Sequence, residues 1–244
     1  MPSPERRLAA ALDALERPVT FWWRDDDAGR DHPRLRRFLA LARARDLPLA
    51  LAVVPAWLEP AAVDAIRETP QATVLQHGIA HADHAWPGEK KVELGGTAAA
   101  DTLEPGLVAG RKRLAERFGE RFLPVLVPPW NRIDEALAAR LPALGFTGLS
   151  RYGEPRPPPG LREVNARVDL VLWHEGRRPM TLGETVAALA RSLDPPPTSP
   201  TGILTHHLVM DKDAFLMLDR VLAVLQDHPK ARLSGGRELF GEAG

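Results

Sequence analysis

The 244-residue chain has no cysteine. Disulfides and thiolate ligands are therefore excluded, and any metal it holds must sit on nitrogen and oxygen donors. It also has no net charge, because Lys plus Arg and Asp plus Glu both total 32. Without a basic excess there is no field to grip a polyanionic backbone or an anionic bilayer, so neither nucleic acid nor membrane is an expected partner. No apolar run approaches the ~20 residues that cross a bilayer. The N-terminal segment does not read as a signal peptide, since Asp13 and Glu16 interrupt a short apolar stretch and no cleavage pattern follows. A cytoplasmic protein is the expectation. There is no internal repeat, and the length suits a single domain over 1–244 whose core needs no staples.

What the chain does have is alternation. Apolar runs at 19–24, 47–54, 72–76, 123–127, 145–150, 168–173 and 202–205 read as strands. Helical spacing falls between them, at 35–42, 61–67, 104–118 and 133–141. Ser3 and Pro4 open an N-terminal helix that carries Leu8, Leu12 and Leu15 on one face. Thr181 and Glu184 form a capping-box pattern, and Asp211 caps a last helix with Phe215, Leu218, Leu222 and Leu225. A polar loop covers 85–101, and the proline-rich segments 154–160 and 194–197 are stiff connections. Strands separated by helices pair in parallel, because a crossover helix returns the chain in the same direction. The expected fold is α/β, a deformed (β/α) barrel with about seven parallel strands.

Two stretches concentrate the chemistry. Residues 76–84 place His77, His81, Asp83 and His84 directly after a buried strand, in a chain with only eight histidines. A neutral imidazole is a ready metal ligand, and His-x-x-x-His can converge two of them; a polar loop with solvated histidines is the competing reading. Residues 21–29 form an apolar strand that ends in Asp25, Asp26 and Asp27. Adjacent carboxylates repel unless cations or hydrogen bonds offset them; the plainer reading is a solvated turn. These residues, Trp130, Trp173, His174, His206 and His207 all fall at the C-terminal ends of expected strands. That is the face where (β/α) barrels place their active residues.

In these residues the chain resembles the polysaccharide deacetylase family (carbohydrate esterase family four and its relatives), metal-dependent de-N-acetylases. The family's Asp-Asp motif matches Asp26-Asp27, and its His-x-x-x-His matches His77 and His81. Its Pro-aromatic motif matches Pro129-Trp130, its Asp and Trp are echoed by Asp169 and Trp173, and its Leu-x-His matches Leu204-Thr205-His206. The matches keep the family's order over residues 21–206. The resemblance implies a divalent metal, with zinc expected, on Asp27, His77 and His81. It implies Asp26 as general base and His206 as the acid that protonates the leaving nitrogen. Trp130, Arg132, Trp173 and His174 are expected to line the substrate pocket, and the partner is a small-molecule or glycan substrate.

The chain departs from the family at one place. The arginine that orients the base in the third motif is replaced by Val127, and Arg24 and Arg132 are the available substitutes. Asp25-Asp26 also fits an Asp-Asp pair, although Asp26 shares a strand face with Arg24. His84 is an alternative to His81, and His207 could share the acid role, with strand alternation turning one of the two histidines away. Trp130 reads equally as core or as a sugar platform, Trp173 as structural or pocket-lining, Trp22 and Trp23 as core, and His32 and His228 as surface residues. The expected function is a metal-dependent hydrolase removing acetyl groups from N-acetylated sugars or related amides. The alternatives are hydrolysis of another C–N bond, as in a cyclic ureide, and a carbohydrate-binding barrel without turnover.

Overall fold

The computed structural model describes residues 2–241. Its strands are β1 (Val19–Ala28), β2 (Leu49–Val53), β3 (Ala72–His77), β4 (Phe122–Val127), β5 (Gly148–Leu149), β6 (Arg162–Glu163), β7 (Ala166–Asp169), β8 (Val171–Leu172), β9 (Arg178–Pro179), β10 (Thr201–Thr205) and β11 (Ala231–Leu233). Its helices are α1 (Pro4–Asp13), α2 (Pro33–Arg45), α3 (Pro60–Arg67), α4 (Ala100–Phe118), α5 (Glu135–Arg140), α6 (Leu182–Ser192), α7 (Lys212–Asp227) and α8 (Gly236–Phe240). All strands but β8 and β9 form one parallel sheet, in the order β6-β5-β4-β3-β2-β1-β10-β7, with β11 on the first residues of β1. β8 and β9 make a separate antiparallel hairpin.

The sheet curls into a deformed (β/α) barrel. β6 pairs with β5 and β7 with β10, and only Val164 and Asn165 separate β6 from β7, so a single bent stave bridges the two ends of the order. Counted that way, β1 to β5, β6/β7 and β10 are the seven strands expected from the alternation.

β1 organises the barrel because its neighbouring residues face opposite ways. Trp22 points inward, packs with Ala50, Ala52, Leu75, Val125 and Val127, and meets Phe240 of α8 edge-on at 5.8 Å. The two alanines leave the room that its indole fills. Gly202 of β10 is required beside it, since a Cβ there would lie 2.6 Å from the Trp22 ring nitrogen. Trp23 points outward into the layer between sheet and helices, against Phe38 of α2 at 5.3 Å. Each indole buries on the order of 200 Å², worth roughly 5 kcal/mol before entropy is counted.

The helix caps read from the sequence are present. Ser3 accepts from the Arg6 amide, Thr181 and Glu184 form the reciprocal capping box, and Asp211 accepts from the Ala214 amide. Other expectations need correction. The run 168–173 is two pieces, because Asp169 turns its carboxylate onto the Val171 amide and breaks the strand between β7 and β8. The strand expected at 145–150 keeps only two residues, and β6, β11 and α8 are not anticipated by apolar periodicity. His32 and His228 are half-buried rather than surface residues, and each ring Nδ1 accepts a backbone N–H two residues on. Among the described residues, no helix is long and apolar enough to cross a membrane.

Candidate active site

The same alternation sorts the three aspartates. Asp25 points outward and is fully buried. It accepts from the Thr205 hydroxyl (2.9 Å) and the His207 amide (2.9 Å), and its other oxygen lies 2.6 Å from His207 Nδ1. Asp26 points into the barrel mouth beside Arg24. Arg24 Nη2 donates to Asp26 Oδ2 at 3.0 Å; Nε stands 2.8 Å from Oδ1, close but poorly aligned for a hydrogen bond. The guanidinium is fully buried and is fixed further by the Ser150 hydroxyl at 2.7 Å and by Asn131 Oδ1 at 2.8 Å. A fork held by Asp26, Ser150, Asn131 and the Arg151 carbonyl aims its charge in one direction only. Of the two available substitutes for the missing arginine, Arg24 reaches Asp26. Arg132 donates instead to the Lys91 carbonyl.

Asp27 follows in a left-handed conformation, φ 68°, which turns its carboxylate toward β3. His77 Nε2 and His81 Nε2 lie 3.3 and 3.2 Å from Asp27 Oδ1. Two ligands on a tetrahedral ion with ~2.1 Å bonds stand roughly 3.4 Å apart, so the spacing fits. His77 Nδ1 donates to the Val127 carbonyl at 2.9 Å, which leaves Nε2 to face the cluster. Burial opposes ionisation of Asp27, yet the two imidazoles beside it outweigh it and hold the carboxyl well below its usual range. Burial also opposes a charged His77, but Asp27 and Asp26 raise it overall. Carboxylates that draw a proton onto an imidazole draw a metal cation by the same field. Asp27 Oδ1 is a buried acceptor without a hydrogen-bond donor, and the donor set is two nitrogens and one oxygen, so the residues fit a divalent ion.

The loop that brings His81 to Asp27 is shaped by Glu93, a residue that no motif or spacing in the chain singles out. Its buried carboxylate accepts from the amides of Ile79 (3.0 Å), Ala80 (2.7 Å) and Ala82 (3.1 Å). Gly78 must be glycine here: its φ is +56°, and a Cβ would lie 1.9 Å from Glu93 Oε2. His84 donates its ring N–H to the Glu93 carbonyl at 2.7 Å and braces the loop, outside the donor cluster. If Glu93 sets His81, Glu93→Gln loses acceptors for the three amides and weakens metal affinity by roughly 10–100-fold, the scale of lost support to a ligand. Titration of the apoprotein with a divalent ion, alongside a melting curve, checks this. Unchanged affinity in a folded variant would mean that Glu93 only stabilises the loop.

On the opposite wall, His206 leaves the end of β10 on the inner face, while His207 turns outward to Asp25. His206 Nδ1 is 3.8 Å from Asp169 Oδ1, an ion-pair distance too long for a hydrogen bond. Asp169 is anchored by the Trp173 ring N–H at 2.7 Å, and the Trp173 ring meets His206 edge-on at 4.8 Å. Burial raises the Asp169 carboxyl above its usual range, against the pull of His206 and the Trp173 hydrogen bond. Trp130 is half-exposed rather than core, with its ring 4.4 Å from that of His81. Trp57, also unanticipated, stands 5.4 Å from the same imidazole. His174 is exposed at the turn after β8.

Backbone strain gathers at this face. Asp27, His81, Trp130 and Asn131 are four of the six non-glycine residues with positive φ among those described. Such conformations cost on the order of 1–3 kcal/mol each and persist where the surroundings over-determine them. A surface cavity of about 890 Å³ opens at the other end of the strands, beside Pro48, Thr73 and Gly235, and contains none of these groups.

No family model matches the chain, and no curated protein matches it. Solved structures do. A Mycobacterium smegmatis protein named as a polysaccharide deacetylase superposes with a TM-score of 0.69 at 14% identity, over 92% of this chain and 90% of that one. A family 4 acetyl xylan esterase from Clostridium thermocellum, in complex with a cobalt ion, gives 0.61 at 14% identity over 91% and 90%. A family 4 pseudoenzyme from Bacillus anthracis gives 0.62 at 12% identity over 93% and 66%. The chain has the polysaccharide deacetylase fold.

Proposed function

We propose that this chain is a metal-dependent hydrolase that removes acetyl groups from N-acetylated sugars or related amides, acting as a single catalytic domain. The observation that carries the reading is the pairing of Asp26 with the buried Arg24 beside a convergent Asp27, His77 and His81. Zinc is the expected ion for two imidazoles and a carboxylate; the esterase of the same fold was solved with cobalt. An ion held there supplies Lewis acidity toward water and the scissile carbonyl.

The protein's own residues do the rest. Asp26 accepts the proton of the attacking water, and Arg24 fixes the carboxylate so that its free lone pairs face the substrate. His206 donates a proton to the nitrogen as the C–N bond breaks. Asp169, tied to Trp173, holds a negative edge beside the imidazole that must carry that proton. Trp57 and Trp130 wall the His81 side of the mouth and exclude water there. Arg132 and His174 stay in the proposal only as rim residues.

A turnover-deficient barrel is the second reading, because one protein of this fold is a pseudoenzyme. Arg24 argues against it: the guanidinium missing from the third motif is present in space, in contact with the base. Two measurements test the proposal. The purified protein should carry about one transition metal per chain, and His77→Ala should lose it while the far-UV spectrum persists. Acetate should be released from an acetylated amino sugar. Undiminished metal in His77→Ala would remove the ligand assignment, and metal-loaded protein that releases no acetate would favour the binding barrel.

A further inference from the structure

We propose that the substrate carries an anionic group, a carboxylate or a phosphate, within about one sugar ring of its acetamide, and that the rim cations Arg30, Lys91 and Arg177 attract it. The inference rests on the acetamide-hydrolase reading and adds a substrate class to it.

Three tryptophans surround the candidate site, and each touches an active-site imidazole and a cation. Trp57 lies against His81 and carries the Arg30 guanidinium 4.2 Å from its centroid. Trp130 meets His81 and has the Lys91 ammonium at 5.7 Å. Trp173 meets His206 and has the Arg177 guanidinium at 5.6 Å. A neutral sugar is gripped by stacking on an open indole face, and these rings already engage cations. At Trp57 the indole is also tilted only 35° from the His81 ring, so it has little face left to offer.

The charge of Arg30 and Arg177 has no carboxylate partner among the described residues, and that of Lys91 has only a distant one. Indole attracts a cation through its quadrupole without neutralising it. Nearby groups with carboxylate partners behave differently: Arg178 is paired with Glu175 and Glu184, and Asp31 with Arg36. Arg30 and Arg177 are exposed and have no such ion pair among the described residues, and Lys91 has only Asp83 at 4.0 Å. Glu93, the buried carboxylate of this loop, is taken up by three backbone amides. Each cation is two contacts from an active-site imidazole. That puts it no more than about 10 Å away, roughly one Debye length in 0.1 M salt, where its attraction for an anion is felt but is weakened by salt. The chain as a whole is neutral, so this rim is a local feature.

The test compares three acetamides that differ in charge: N-acetylglucosamine, its 6-phosphate, and the 3-O-lactyl ether that bears a carboxylate. At low salt at least one anionic sugar should exceed the neutral one in kcat/KM by about tenfold, and 0.5 M salt should shrink the gap several-fold. An anion can also bind a metal directly, so the double variant Arg30→Gln/Arg177→Gln decides. It should lower the anionic-to-neutral ratio by at least about fivefold, through KM and not kcat. Preference for either anion supports the proposal, and their order names the group. Equal kcat/KM for all three, or a ratio that the double variant leaves unchanged, overturns it. If the wild type cleaves none of the three, the hydrolase reading fails separately. Calorimetry with the 6-phosphate and the neutral sugar then judges the rim, and equal affinities, or a phosphate preference retained in the double variant, overturn it.

Discussion

His206→Ala lowers the rate on an acetamide by about 10²–10⁴ and lowers the rate on an aryl acetate far less. The reasoning starts from the leaving group. An amine leaves an sp³ carbon poorly unless its nitrogen is protonated as the bond breaks, whereas a phenolate leaves without a proton. A residue acting as general acid therefore separates the two substrates, and a residue acting on structure or binding does not. His206 stands at the end of β10, on the face that Asp26 and His77 share, between Asp169 and the Trp173 ring. His207 cannot take over, because it is buried on the other face with its ring against Asp25. Steady-state rates on a matched amide and ester, with metal content held equal, make the measurement. Equal losses on both would move the acid role elsewhere, and His174 at the exposed turn would be examined next.

Asp26→Asn should cut turnover by a similar factor, about 10²–10⁴, while metal and fold remain. An amide is nearly the same shape, but it cannot accept the proton of the attacking water. Its oxygen can still meet Arg24, so the barrel mouth keeps its packing. Asp25→Asn tests the register and should behave differently. Asp25 is fully buried, supports the end of β10 through Thr205, and pairs with His207. Weakening a buried pair at one partner costs on the order of 3 kcal/mol, which in a domain of this size lowers Tm by roughly 6–12 °C. Kinetics and melting curves of the two variants, side by side, separate the roles. Lost chemistry in Asp25→Asn with an intact Asp26→Asn would shift the base by one residue.

The contrast between neighbouring residues explains why so much was legible. The strand period of two places consecutive side chains on opposite faces. Asp25 and Asp26, and likewise His206 and His207, therefore had to part company. The sequence left open which member of each pair faced the mouth. Arg24 settled it for the aspartates, because a guanidinium two residues before Asp26 shares its face. The fold was legible for a related reason: apolar runs of strand length separated by amphipathic stretches leave parallel pairing as the consistent arrangement. The very short strands β5 and β6 escaped because two residues cannot display a period.

Local order, then, was determined by the sequence alone: the strand and helix alternation, the helix caps, the face on which acids and imidazoles emerge, and the exclusion of thiolate chemistry. These depend on residues a few positions apart. The tertiary structure decided what depends on distant segments. It brought Ser150 and Asn131 to Arg24 across more than a hundred residues, and so fixed the guanidinium that holds the Asp26 carboxylate where the local motif lacks its arginine. It folded Glu93 under the His81 loop, assigned His84 to bracing that loop, and set a cation on each tryptophan of the mouth. No spacing in the chain announces such contacts, because barrel closure, not sequence distance, makes those residues neighbours.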